Sequence, residues 1–146
     1  MARDPEPAAP PARGALERWL IALAALAAWS IVPPYLGPPM GLELDVEPSV
    51  EVVDHVLPGL CAVAGACIAL GEVRRGQADS FRALAALGVC ALAGLFQTVS
   101  HATLVLNAGS PQHPVDSVVL HASPGPLLLT LSLWLLVRPQ PADASA

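Results

Sequence analysis

The stretch VVDHVLPG at residues 52–59 and its counterpart VDSVVLHASPG at residues 115–125 decide the fold predicted from this sequence. Each contains Val-Asp followed by a histidine, reaches Pro-Gly, and continues into a long apolar segment. Apolar segments of about 20 residues without charges are typical of membrane-spanning helices. The two stretches therefore predict polar groups at one end of two membrane helices.

The composition agrees with a membrane protein. Of the 146 residues, 54% are hydrophobic and 13% are charged, whereas a soluble domain carries about 25% charged residues. The chain has no lysine, basic patch or glycine-rich phosphate loop, which argues against nucleic acid as a partner and leaves the lipid bilayer. The three cysteines form no C-x-x-C pair and are expected to be inert.

The long apolar blocks predict an all-α, integral membrane four-helix bundle in a single domain over residues 17–138. We expect disordered tails at residues 1–16 and 139–146, which are rich in proline and alanine. The predicted spans cover approximately residues 17–36, 49–71, 81–106 and 114–137. A cleaved signal peptide is the alternative interpretation of the first span, because Ala-x-Ala patterns occur near its end.

The arginines predict the orientation of the bundle. With four spans, all seven fall on one side: before span one, between spans two and three, and after span four. Positively charged loops stay in the cytoplasm, so both termini are expected there. The protein would then be a multi-pass protein of a bacterial-type cell (cytoplasmic) membrane.

The two halves of the chain resemble each other and predict two tandem helix-hairpin repeats. Each half has an alanine-rich helix, an arginine-free outer loop, Val-Asp, Pro-Gly and an apolar exit before arginine. The spacing from Asp to Pro-Gly differs between the halves, so chance similarity between apolar segments is the alternative. Glycines at helical spacing let helices approach closely, and four are expected to be packing residues: Gly59, Gly65, Gly94 and Gly125.

Three histidines form the candidate site. His55, His101 and His121 each lie five or six residues from the outer end of a different predicted span, about 8–9 Å deep at the rise of an α-helix. Three imidazoles at one depth could bind Zn or Cu, and two could be axial ligands of haem. Residues that could form an outer shell or a proton site lie at the same end: Glu51, Asp54, Asp116 and Gln97. The alternative is that the histidines only form structural hydrogen bonds to hydroxyls or freed carbonyls.

These patterns do not define a reaction. We expect an accessory or structural membrane protein without catalysis of its own and without a cofactor, which associates with a membrane-protein partner or with a second copy. One alternative function is an outward-facing metal or haem site at the histidines. The other is proton-coupled transport of a small solute, which would require Asp54 or Asp116 to exchange protons.

Overall fold

The computed structural model describes residues 13–36, 38–41 and 47–138, and the regular structure within these residues is helical, without a strand. Residues 52–56 form a π-helical turn and residues 38–40 a short 3₁₀ turn. The α-helices are α1 Arg13–Trp29, α2 Pro33–Leu36, α3 Pro48–Glu51, α4 Leu57–Arg74, α5 Phe81–Ser100, α6 Ala102–Leu106, α7 Val115–Ala122 and α8 Pro124–Val137.

Three helical segments are long and apolar enough to cross a membrane: Ser49–Arg74, Phe81–Ser100 and Val115–Val137. Helix α1 is shorter, with 17 residues. It begins at Arg13, four residues before the predicted start of the first span, and Leu16 is already buried. Residues 1–12 and 139–146, predicted as tails, lie outside the described residues.

Two predicted spans contain breaks. The predicted span 81–106 is interrupted at His101, where α5 ends and α6 begins. The predicted span 114–137 changes from α7 to α8 at Ser123, immediately before Pro124. Proline has no N–H and its ring crowds the carbonyl four residues earlier, so a change of helix at this position is expected.

The helices pack in the order α1, α4, α5, α8. Helix α1 contributes a leucine stripe at helical spacing, formed by Leu16, Leu20 and Leu23. It meets an alanine face of α4, and Leu128 and Leu135 of α8 extend the same core. Because alanine and glycine are small, the axes of α4 and α5 come close enough for backbone contact.

The four glycines predicted as packing residues all lie at close helix contacts. A Cβ atom built on Gly65 would lie 2.6 Å from the Ala86 carbonyl oxygen of α5. One built on Gly94 would lie 2.5 Å from the backbone nitrogen of Leu129 in α8. Gly125 faces the backbone of α5 in the same way, and Gly59 faces Ser30 and Ile31 at the end of α1.

Charged side chains collect at one end of the bundle. Glu17 of α1 pairs with Arg13 at 3.4 Å and with Arg74, at the end of α4, at 3.7 Å. Asp79, in the turn before α5, lies 3.7 Å from Arg138 after α8. Glu72 likewise pairs with Arg75 and Arg82. The histidines are at the opposite ends of the same helices, so the bundle has an arginine end and a histidine end.

The close contact at Gly65 predicts a measurable packing cost. Gly65→Ala would place a methyl group against backbone that cannot move aside, and overpacking of this kind costs about 1–3 kcal/mol. Gly88→Ala is the matched control on α5, because a Cβ there has nothing within 4 Å. Thermal unfolding in detergent should show a clear loss for Gly65→Ala and little change for Gly88→Ala. Equal stability of the two variants would contradict the packing described here.

Candidate functional site

Three buried imidazole rings meet at the histidine end of the bundle. His55 lies in the π-helical turn, His101 at the end of α5 and His121 in α7. The ring centroids of His55 and His101 are 4.6 Å apart, and those of His55 and His121 are 5.9 Å apart. All three side chains are nearly inaccessible, with exposed fractions of 2%, 4% and 3% in chain order. Residues far apart in the sequence thus form one cluster.

The π-helical turn determines where His55 points. It spans Val52–Val56, and its wide form is closed by the Leu57 N–H bonding to the Val52 carbonyl. Pro58 follows directly, and its ring would crowd the carbonyl of Asp54 in a regular helix. A π turn adds one residue to the turn and so relieves that crowding, and such turns are frequent at functional sites.

The Nδ1 atom of His55 is bound to a carbonyl from another helix. It lies 3.0 Å from the Ser30 carbonyl oxygen, just beyond the end of α1. In a continuing helix this oxygen would accept from the N–H of residue 33 or 34, but both residues are proline and have no N–H. The Pro-Pro sequence therefore frees the Ser30 carbonyl for the histidine. The sequence interpretation did not include Ser30, although the two prolines were the signal for it.

The other two rings are fixed by carbonyls of their own helices. His101 Nδ1 lies 2.8 Å from the Gln97 carbonyl oxygen, and His121 Nδ1 lies 2.9 Å from the Ser117 carbonyl oxygen. A carbonyl oxygen only accepts hydrogen bonds, so the nitrogen facing it must carry the hydrogen. In all three rings Nδ1 is therefore the donor, and in a neutral ring Nε2 is left with a bare lone pair.

The Nε2 atoms of His55 and His101 face each other at 2.9 Å. With both Nδ1 atoms protonated, this contact would bring two lone pairs together unless a positive charge lies between them. The Ser100 hydroxyl, 3.0 Å from His101 Nδ1, could donate to that nitrogen instead. That alternative would turn a second lone pair toward the Gln97 carbonyl, so it replaces one repulsion with another. The geometry favours an occupant that accepts electron pairs from both Nε2 atoms.

The predicted acidic residues lie at different distances from this contact. The Oε2 atom of Glu51 is 3.6 Å from His55 Nε2. Asp54 is half-buried and Asp116 is exposed, and neither carboxylate forms a hydrogen bond or ion pair with a histidine in the described part of the chain. Asp116 instead accepts from the backbone N–H of Ser117 at 3.0 Å. Of the three acids, Glu51 is the one whose carboxylate lies within ion-pair distance of a histidine ring.

Gln97 is buried beside the cluster, with 2% of its surface exposed. Besides its backbone bond to His101, its side-chain nitrogen donates a long bond of 3.5 Å to the His55 carbonyl. Its side-chain oxygen Oε1 has no partner among the described residues. A buried oxygen without a donor is uncommon and is often a sign of strain or of a missing ligand or water.

The cofactors predicted from the sequence, Zn, Cu and haem, differ in how well they fit the paired Nε2 atoms. Within residues 13–36, 38–41 and 47–138, no group of three or more His, Cys, Asp or Glu residues is placed so that it could hold a metal ion without a change of side-chain position. His55 and His101 do not fit as the two axial ligands of a haem, because their touching Nε2 atoms leave no room for iron and a porphyrin plane between them. A proton fits between the two nitrogens at this separation, and a small metal ion would fit the donor atoms present if the two rings moved slightly apart.

No protein-family model, curated protein or solved structure matches this chain. The function is therefore argued from the geometry of the cluster.

Proposed function

We propose that this protein binds a cation between His55 and His101 in a helical membrane bundle. The observation that supports the proposal is the 2.9 Å contact between two Nε2 atoms whose rings donate through Nδ1 to carbonyls. A metal ion, or a single proton, placed between the two lone pairs turns the repulsion into binding. The carbonyls of Ser30 and Gln97 hold the rings in this tautomer beforehand, as outer partners do for metal-binding histidines.

The cluster joins the ends of three helical segments and has a carboxylate beside it. His55 comes from the segment before α4 and His101 from the end of α5, while the Ser30 carbonyl comes from the end of α1. Burial makes an unshared charge costly in the membrane interior. Glu51 lies near the pair and supplies a negative charge of the right sign to offset a bound cation.

A structural or accessory role is the second candidate. The close contacts at Gly65 and Gly94 support it, because they make the cores of α4, α5 and α8 a closely packed scaffold. In this role the histidines join helix ends, the protein has no catalysis of its own, and a membrane-protein partner or second copy supplies the activity. Proton-coupled transport through Asp54 or Asp116 stays a prediction from the sequence.

We also propose four spans, with α1 as the first and both termini in the cytoplasm. Supporting this, α1 buries its leucine stripe along α4, as a member of the bundle does. Its Arg13 end meets the Arg74 end of α4, and Arg138 of α8 lies at the same end. By the positive-inside rule we expect that end in the cytoplasm and the histidine cluster toward the outside. The tandem-hairpin repeat remains a proposal from the sequence pattern.

Reporter fusions in a bacterial membrane test the topology. Green fluorescent protein joined to either terminus should fluoresce, because it folds to its fluorescent form in the cytoplasm, and alkaline phosphatase at the same positions should be inactive. Phosphatase inserted at Gly109, in the turn before α7, is the matched control and should be active. Termini that report opposite sides would exclude four spans.

Ring nitrogen chemical shifts test the cation site without assuming which cation is bound. In the full-length protein labelled with ¹⁵N-histidine, His55 and His101 should each show a protonated Nδ1 and an Nε2 that is bound to a metal or shares one proton. The expected reason is that the Ser30 and Gln97 carbonyls require N–H at Nδ1. The His55→Ala variant should remove this signature from His101.

The outer-turn His113, whose Nδ1 lies near the Ser110 hydroxyl, provides the control signal, and His113→Ala should leave both rings unchanged. A neutral ring at His55 or His101 with a bare Nδ1 and a hydrogen on Nε2 would contradict the proposed site.

A further inference from the structure

We infer that the bound cation is a divalent late first-row transition-metal ion of the Zn²⁺ type, held by His55, His101 and the carboxylate of Glu51. The inference rests on the proposed cation site and names its ligand. It requires that the Glu51 carboxylate, already beside the pair, becomes the third donor. Two imidazoles and a glutamate are a known zinc ligand set in proteins.

The Glu51 carboxylate lies close to the paired imidazole rings. Glu51 precedes His55 by four residues, and its Oε2 atom lies 3.6 Å from His55 Nε2. His101 Nε2 lies 2.9 Å from that same nitrogen. Zinc ligands lie about 2.0–2.2 Å from the ion, so neighbouring donor atoms around one ion are farther apart than 2.9 Å. A small separation of the two rings, with rotation of the Glu51 side chain, would bring the three donors around an ion.

The Glu51 carboxylate can offset part of the charge of a bound metal ion. A divalent cation bound by two neutral imidazoles alone would leave two uncompensated charges in a buried site, which is costly in a membrane. Glu51 removes one of these charges directly, whereas a proton shared by the pair needs no third donor. Charge alone does not separate the two occupants, because the carboxylate would also offset a shared proton; the metal ion is favoured because it uses a third donor atom, which a shared proton does not.

The donor atoms at the cluster are imidazole nitrogens and a carboxylate oxygen. Imidazole nitrogen and carboxylate oxygen suit borderline divalent ions such as Zn²⁺, while thiolates select softer ions such as Cu⁺. The buried Cys90 points its sulfur to the Ala62 carbonyl at 3.2 Å, deeper along the bundle. Cys61 and Cys67 are on exposed faces of α4. No cysteine therefore joins the cluster among the described residues, and the donor set is one of nitrogen and oxygen.

The Glu51 carboxylate is the part of the cluster that an arriving ion could reach first. The Glu51 side chain is 16% exposed and that of His55 is 2% exposed, so the carboxylate is the more accessible of the two partners. An ion arriving at the histidine end would meet Glu51 before the rings. His121, whose ring centroid is 5.9 Å from that of His55, stands next to the same position and is the nearest additional imidazole.

Cobalt titration of the full-length protein in detergent tests the inference, because Co²⁺ takes zinc ligands and its visible spectrum reports their number and geometry. One Co²⁺ per chain should bind with the spectrum of a low-coordinate nitrogen and oxygen site, and Zn²⁺ should displace it. Glu51→Gln should weaken Co²⁺ binding by about 10-fold or more, the loss that even an outer partner of a metal ligand causes. His101→Ala should abolish the spectrum.

His113→Ala is the matched control, because it removes a histidine of the outer turn that lies outside the cluster, and it should bind Co²⁺ as the unaltered protein does. Far-ultraviolet circular dichroism confirms that each variant is folded. If His101→Ala does not fold, the near-isosteric Glu51→Gln and the titration of the unaltered protein still decide the question.

Unchanged binding by Glu51→Gln would overturn the role of the carboxylate. The absence of a Co²⁺ spectrum in the unaltered protein would overturn the metal as ligand. In that case the ring nitrogen shifts separate two failures: Nε2 atoms that share one proton preserve the proposed cation site, and neutral Nε2–H rings remove both.

Discussion

The hydrogen bonds from ring Nδ1 atoms to backbone carbonyls are the interactions on which the chemistry of this bundle depends. A carbonyl cannot donate, so each bond fixes one tautomer and leaves Nε2 as the reactive atom. For His55 the acceptor is the Ser30 carbonyl, which the two following prolines leave without a backbone partner. A local property of the chain at the end of α1 thus determines the tautomer of a ring on another helix. Because His101 Nε2 lies 2.9 Å from His55 Nε2, that tautomer brings two lone pairs together.

The scaffold makes this contact possible through close helix packing. Gly65 and Gly94 let α4, α5 and α8 approach to backbone contact. Ion pairs at the opposite end connect α1 to α4 and the turn before α5 to the end of α8. The pair of Glu17 with Arg74 is partly exposed and contributes little stability, whereas Arg138 in the second pair is buried. Their main consequence is the separation of the chain into an arginine end and a histidine end.

Part of this arrangement could be predicted from the sequence. The apolar blocks indicated helices of membrane-spanning length, and three of them have that length in the structure. The helical rise placed His55, His101 and His121 at one depth, because depth depends only on the residue count along each helix. Gly65 and Gly94 could be recognised as packing residues by their helical spacing with other small residues. The fourth span, the tandem repeat and the orientation stay predictions.

The details of the histidine cluster could not be predicted from the sequence, because they depend on rotation about helix axes and on contacts between helices. One additional residue in the π turn rotates everything beyond it by about 100°, so a regular helix drawn from the sequence would misplace His55. The break at His101 was also not marked in the sequence, because residues 95–106 contain neither proline nor glycine. The role of Ser30 does not follow from its side chain, because its backbone carbonyl is the group that accepts the hydrogen bond from His55 Nδ1. Asp54 and Asp116 looked equivalent to Glu51 in sequence, and only the packing distinguishes them.

The most direct test of the central claim, that a cation lies between two carbonyl-fixed imidazoles, is an experimental density map of the full-length protein in lipid after incubation with Zn²⁺. Anomalous scattering recorded at the zinc edge would locate the ion. The account predicts a peak about 2.0–2.1 Å from Nε2 of both His55 and His101, with Nδ1 of each ring on its carbonyl. Rings turned away from Ser30 and Gln97 would contradict it, and so would an anomalous map without a peak between the two Nε2 atoms together with ring nitrogen shifts that show no shared proton there.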